Sequence, residues 1–469
     1  MAKSRGKDLA INTIIIGIGN FSTQIVSFLL LPLYTSILTT KEYGVYDLII
    51  TLATFILPII TLLMQESMFR FLIDCKNDKE KKIVISQTIL YVSISTIVSL
   101  ILARILNIFI EIPYLLIGIV YICSSILTEL RNALVRGLGK LKLYTLINFI
   151  SSLIHIVLNV IFIAIYRWGV YGLLFSSIIA NTICSLVIFI KLKIYDYISI
   201  KSYNKKLMKD MIKYSIPLVP NSLSWTIVNL SDRLIISGVM GTAANGIYSM
   251  AYKFPNLMNT IYGFFYTAWK ESSAKAISDE DKEGFFNKIF DMLIKVMFSV
   301  SLGIIVCMPL VFNIFIKESY KDAYLYIPIL VIGMYYNNIS GYYGGIFSAY
   351  KDTKIMGTTT ILGAITNLVI NILLIKFIGI YAAALSTMIS CMVIFYYRKY
   401  KVKRYIKIES SKNTWGYLLL FITLVLYYIN NNVVVKLINF IIVVIYAIYS
   451  NKEIIINLIR QFCLKFNKK

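Results

Sequence analysis

The side chains with the most chemical potential in this sequence are charges set inside apolar runs. Ser231-Asp232-Arg233 lies in one run and Lys253 in the next, across a short turn from Gly241 to Gly246. A charge at mid-membrane costs at least about 2.5–3.5 kcal/mol on insertion scales, so it marks a substrate contact, an ion path or a salt bridge. The turn sets Arg233 and Lys253 at similar depth, where two cations would hold an anionic group. Asp232 points about 100° away from Arg233 on an α-helix. It either pairs with Lys253, locking the two helices, or acts as a proton- or sodium-sensitive carboxylate. Glu66 and Arg70, spaced i and i+4, read most simply as an intrahelical pair. Glu129 and Arg131 lie deep enough in their run to receive a headgroup, whereas Arg136 reads as an interface anchor. His155, the one histidine, is either a proton relay or a neutral, hydrogen-bonded side chain.

Positioning such charges needs membrane-spanning helices. Hydrophobic residues make up 58% of the 469 and charged residues 15%, with mean hydropathy +0.75. A soluble protein averages about 25% charged residues. A span needs about 20 apolar residues, which places spans near 9–38, 45–69, 83–106, 113–136, 144–166 and 169–190. A second series follows near 214–240, 247–269, 289–316, 324–349, 355–376 and 380–397, and two shorter helices near 414–429 and 433–450 close the chain. The first run lacks a small-residue cleavage site and reads as a span rather than a signal peptide. The expected fold is therefore all-α and polytopic, with about fourteen transmembrane helices.

Charge fixes the expected orientation. With the N-terminus inside, the inner segments hold 37 of the 47 Lys and Arg residues, including Arg398 to Lys412, and the outer turns hold six. Both termini are then cytoplasmic. The net charge of +24 sits in short patches between apolar runs, which argues against nucleic acid as a partner. Six scattered cysteines and one histidine argue against a metal site or disulfide framework. No phosphate-binding Gly-x-x-x-x-Gly-Lys-Ser/Thr loop is present, and no cofactor is expected.

The chain also repeats itself. Tyr43-Gly44-Val45-Tyr46 recurs as Asn245-Gly246-Ile247-Tyr248, 202 residues on. The first span carries Asn20, Gln24, Ser27 and Thr35 on one face, and the seventh carries Ser222, Thr226, Asn229, Arg233 and Ser237. At an offset of 212, Asn148, Ser151, His155 and Asn159 of the fifth span match Thr360, Gly363, Asn367 and Asn371 of the eleventh. Each copy holds six spans, so the repeats are parallel, an arrangement used by alternating-access transporters. The expected domains are a lobe at 1–195, a cytoplasmic linker at 196–213, a lobe at 214–400, and a basic loop with the last helix pair and tail at 401–469. Polar helix faces in hydrocarbon either join helices or line a watery cavity.

Asn12 through Tyr46, with Pro32-Leu33-Tyr34 and Glu42-Tyr43-Gly44, resembles the opening of bacterial polysaccharide-unit flippases. So does Ser231-Asp232-Arg233 followed by Gly246-Ile247-Tyr248-Ser249-Met250-Ala251-Tyr252-Lys253. These Wzx-type proteins belong to the multidrug/oligosaccharidyl-lipid/polysaccharide exporter superfamily. The resemblance implies two six-helix bundles in the bacterial cytoplasmic membrane, moving undecaprenyl-pyrophosphate-linked oligosaccharides from the inner to the outer leaflet for O-antigen, capsule or exopolysaccharide synthesis. It also implies a cationic cavity, with Arg233, Lys253, Arg131, Arg70, Asn20, Gln24 and Asn229 as substrate contacts. Asp232, Glu129, Glu66 and His155 are the candidates for coupling to H+ or Na+. The competing readings are a multidrug antiporter, a lipid II or sporulation-related flippase, and a membrane polymerase or ligase. The very short outer turns argue against the enzyme.

Overall fold

In the computed structural model the described residues are 30–109, 113–199, 203–277, 281–350, 352, 354–409, 414–429 and 432–456. Asn20, Gln24, Ser27 and most of the first expected span lie outside them. The described residues are mostly helical, with no strand among them, and form two compact units that divide after Leu234.

Unit 1 begins with α1 (Leu31–Ile37) and α2 (Thr40–Thr61). Thr39 caps α2 through a capping box: its hydroxyl accepts from Glu42 N at 3.2 Å, and Glu42 Oε2 accepts from Thr39 N at 2.9 Å. The expected single span at 45–69 is broken. Leu62 and Leu63 take left-handed conformations, with φ of 46° and 54°, and a second helix, α3 (Met64–Asp74), starts beyond them. Leucine carries no turn signal, so hydropathy reads straight through this break. Next come α4 (Asp78–Phe109), α5 (Leu115–Gly137), α6 (Leu141–Asn159) with a π-helical turn at Val160–Ile165, and α7 (Gly169–Lys191). Helix α5 packs on α3 and α7, and α6 packs on α7.

The segment read as a linker contains an amphipathic helix, α8 (Lys205–Ser215). Asn204 Oδ1 caps it, accepting from Lys206 N and Leu207 N at 3.0 and 3.1 Å. Met208 and Met211 are buried against α3, and Ser67 Oγ donates to Met211 O at 3.1 Å. Lys205, Lys206, Lys209 and Lys213 stay exposed on the other face. Helix α9 (Leu218–Met240) then crosses the boundary between the units.

Unit 2 contains α10 (Thr242–Ala276), α11 (Lys282–Phe315), a 3-10 segment at Glu318–Tyr326, α12 (Ile327–Ala349), α13 (Lys354–Ile378) and α14 (Ile380–Val402). Helices α12, α13 and α14 pack closely, and α10 lies on α12. Small residues permit that approach. A side chain at Gly345 would meet the Trp269 indole, which instead stacks on Tyr342 at 4.4 Å and donates to Tyr342 O at 2.9 Å.

The final helices, α15 (Thr414–Ile429) and α16 (Val433–Ser450), lie against α11. Their ends match the expected ones. Tyr427 stacks on Tyr324 at 3.9 Å, and its hydroxyl donates to Tyr324 O at 2.7 Å. Asn451 Nδ2 donates to Ser299 Oγ at 2.9 Å.

Among the described residues nine helices are long and apolar enough to cross a membrane, and α15 is a shorter apolar helix. Helix α4 exposes Ile94, Ile97, Val98, Ile101, Leu102 and Ile105 in succession. Such a surface is a liability in water and is at home in lipid.

Candidate functional site

The two repeats build the same ladder along the polar face of their fifth helices. In unit 1, Asn148 Oδ1 accepts from Arg131 Nη2 at 2.8 Å, His155 Nε2 meets Ser177 Oγ at 3.0 Å, and Asn159 is wholly buried. In unit 2, Thr360 Oγ1 accepts from Arg398 Nη2 at 3.4 Å. Asn367 Nδ2 donates to Ser386 and Thr387 hydroxyls at 3.1 and 3.3 Å, and Asn371 is wholly buried. Each rung is separated from its counterpart by 212 residues. The lowest rung holds a buried arginine in both units, but from different helices: α5 supplies Arg131 and α14 supplies Arg398.

Arg131 is 4% exposed. Its Nε and Nη2 also reach Asn132 Oδ1 at 3.3 and 3.2 Å, and Nη1 is buried without a hydrogen-bond partner. An orphaned N–H on a buried cation costs about 1–3 kcal/mol, or more because the group is charged. Glu129, two residues before Arg131, is exposed and is within electrostatic reach of Glu66, Arg136 and Arg131. It forms no ion pair with Arg131.

Arg136 is more than an interface anchor. It approaches Glu66 Oε1 at 3.5 Å and lies over the rings of Phe69 and Tyr144 at 4.8 and 5.8 Å. The expected Glu66–Arg70 pair is therefore corrected. Arg70 pairs one turn further on with Asp74 at 2.7 Å, and its side chain is 48% exposed. Glu66, 40% exposed, is met from α5 by Arg136, and the more exposed Arg70 finds its carboxylate on its own helix.

A second buried arginine of unit 1 is Arg233, on α9. Its Nε donates to Asp47 Oδ2 at 2.6 Å and its Nη1 to Asn229 O at 3.1 Å. The two side chains are 9% and 19% exposed. Asp47 did not figure among the candidates, because it reads as the first turn of a span after Glu42-Tyr43-Gly44. Its partner lies 186 residues away, and no local pattern announces it. Asp232 is 1% exposed beside Arg233, and Lys253 is half-buried on α10 in unit 2. His155, held by the Ser177 hydroxyl, is a half-buried member of the ladder. Among the described residues no three His, Cys, Asp or Glu side chains converge as a metal-binding group.

Comparison with known proteins follows the same lines. Residues 9–269 match the family model described as polysaccharide biosynthesis protein. An uncharacterized membrane protein of Methanocaldococcus jannaschii, MJ1375, is 26% identical over 311 residues, covering 61% of this chain and 70% of that one. The fold is similar to that of the lipid II flippase MurJ in an inward closed conformation, at TM-score 0.71 and 17% identity, covering 94% of this chain and 100% of that one. It is also similar to an inward-facing multidrug resistance MATE family transporter of the MOP superfamily, at TM-score 0.68 and 14% identity, covering 83% and 98%.

Proposed function

This chain belongs to the polysaccharide biosynthesis protein family, and we propose that it flips undecaprenyl-pyrophosphate-linked oligosaccharides across a bacterial cytoplasmic membrane. The substrate's headgroup carries negative charge on its two phosphates. The observation that carries the reading is Arg131, a buried guanidinium bonded to two asparagine oxygens and, among the described residues, to no carboxylate, with one nitrogen unspent. A buried cation without an opposite charge is costly, and an anionic substrate supplies what the fold withholds. Arg136 extends the cationic lining of unit 1, and Lys253 is a separate cationic candidate of unit 2. Asn20, Gln24 and Asn229 offer hydrogen bonds to sugar hydroxyls.

Transport proceeds by alternating access, with both termini cytoplasmic and with H+ or Na+ coupling through Asp232, Glu129 or Glu66. The lobes correspond to 1–195 and 214–400, joined at 196–213. The chain acts without cofactor or covalent chemistry. The test is complementation of a bacterial strain that lacks its own repeat-unit flippase, across several repeat-unit structures. Restored surface polymer is the expected result. Drug efflux without polymer assigns the chain to multidrug export, and rescue of cells lacking their lipid II flippase assigns it to that substrate.

A further inference from the structure

We propose that Arg398 and Tyr262 form a seat for a phosphate-class oxyanion inside unit 2. The seat stands on the geometry of that unit; a lipid-linked diphosphate as its physiological occupant rests on the transport reading above.

Arg398 lies just before the basic last turn of α14 and is 1% exposed. Its Nε donates to Thr359 Oγ1 at 2.9 Å, its Nη1 to Ser340 O at 3.2 Å and its Nη2 to Thr360 Oγ1 at 3.4 Å. Both threonine hydroxyls donate to Met356 O, at 3.0 and 2.8 Å, which leaves their lone pairs for the guanidinium. All three acceptors are neutral, and among the described residues no carboxylate forms an ion pair with Arg398. A guanidinium has five N–H donors, so two remain beyond these bonds. If Arg398 were only a clamp joining α12, α13 and α14, a neutral donor would serve without the cost of a buried, uncompensated charge.

The cover over this cation is equally underused. Tyr262, on α10, is 8% exposed, and its buried hydroxyl has no hydrogen-bond partner. It rests against Gly341, where any side chain would collide with it. Tyr262 and Tyr266 lie within electrostatic reach of the guanidinium. Their rings stack at 5.6 Å, and Lys270 Nζ lies over the Tyr266 ring at 4.7 Å. Positions 262, 266 and 270 share one face of α10 by their i, i+4 spacing. A line of cation, ring, ring and cation therefore runs from exposed Lys270 to buried Arg398. Swinging Tyr262 aside breaks no side-chain hydrogen bond. An entering oxyanion gains the tyrosine hydroxyl, the spare guanidinium donors and charge-assisted geometry.

The test uses the full-length protein purified in detergent, with inorganic diphosphate and undecaprenyl diphosphate as separate probes and melting temperature as readout. Both probes are expected to raise the melting temperature of the wild type in a saturable way. Arg398→Gln weakens apparent affinity by at least about tenfold, as loss of a charge-assisted contact should. Arg398→Lys keeps the charge but loses the planar fork, and falls between. Tyr262→Phe, which keeps the ring and its packing, costs about threefold. Affinities unchanged in Arg398→Gln and Tyr262→Phe overturn the seat, as does the absence of any shift with either probe. Should Arg398→Gln not yield folded protein, Tyr262→Phe and Lys270→Gln decide the matter by the same measure. An Arg398-dependent shift with inorganic diphosphate, in a protein that fails complementation with every repeat unit, keeps the seat and removes the transport reading.

Discussion

The two units answer the same problem with different donors. Each places an arginine against the first polar rung of its fifth helix, Asn148 in one and Thr360 in the other. Unit 1 brings that arginine from α5, next to exposed Glu129 and the Arg136–Glu66 contact. Unit 2 brings it from α14, with Tyr262 and Tyr266 within electrostatic reach. The acceptor positions have kept their spacing, whereas the helix that supplies the charge has changed. What the two units share is the hydrogen-bonding ladder. The surroundings of each cation are where the halves have diverged, one open to further charges and the other sealed by aromatics.

The sharpest way to break this comparison is to unbalance Arg233, a buried cation that does have a carboxylate partner. Asp47→Ala leaves Arg233 buried without its 2.6 Å partner. Removing one member of a buried pair costs about 3–5 kcal/mol. A large fall in melting temperature is expected for Asp47→Ala, with a smaller one for the double variant Asp47→Ala/Arg233→Ala. Equal losses in the two would show that the pair is not coupled.

Next in size is Arg131→Gln, which removes the charge but keeps hydrogen bonding to Asn148. Because Arg131 has no carboxylate to leave stranded, the protein should accumulate normally and melt within a few degrees of the wild type. Polymer export in complemented cells should fall at least about tenfold, equivalent to about 1.4 kcal/mol. Normal export would separate the ladder from the substrate and leave Arg131 as a structural residue.

These residues differ in how visible they were in the sequence. Arg131 and Arg233 were legible because a charge inside an apolar run is conspicuous whatever surrounds it. Helices α15 and α16 were legible to the residue because polar clusters bound them on both sides. Arg398 was hidden by its neighbours: five more cations follow it as far as Lys407, so it read as the start of a solvated basic loop. Its burial depends on Ser340, Thr359 and Thr360, from helices that only the fold brings together. Asp47 was hidden for the same reason, its partner being 186 residues distant. The break between α2 and α3 was invisible because two leucines carry it, and the partner of Glu66 was hidden because Arg136 lies 70 residues on.

The second rung separates a relay from a strut. His155 meets the Ser177 hydroxyl where unit 2 uses Asn367 against Ser386 and Thr387. Asparagine does not titrate near neutrality, so unit 2 fills the equivalent rung without proton exchange. His155→Asn should therefore support export within about twofold of wild type, with the same profile over roughly pH 6 to 8, the range in which a histidine changes charge. A profile that flattens in this variant would make His155 a relay and the two ladders functionally unlike.

The smallest expected effect is at Arg70, and its contrast with Arg136 sharpens the reading of α3. Arg70 is 48% exposed and bonded to Asp74, which is 66% exposed. Exposed pairs contribute about 0–1 kcal/mol, so Arg70→Gln should leave melting temperature and export nearly unchanged. Arg136 is 30% exposed, faces Glu66 and lies over two aromatic rings. Arg136→Gln therefore removes cation–π contacts and leaves Glu66 without its cation, and should lower export more than Arg70→Gln does. Equal effects on export would mean that Arg136 matters no more to transport than an exposed surface cation does. A larger loss at Arg70 would return the site to the outward face of α3.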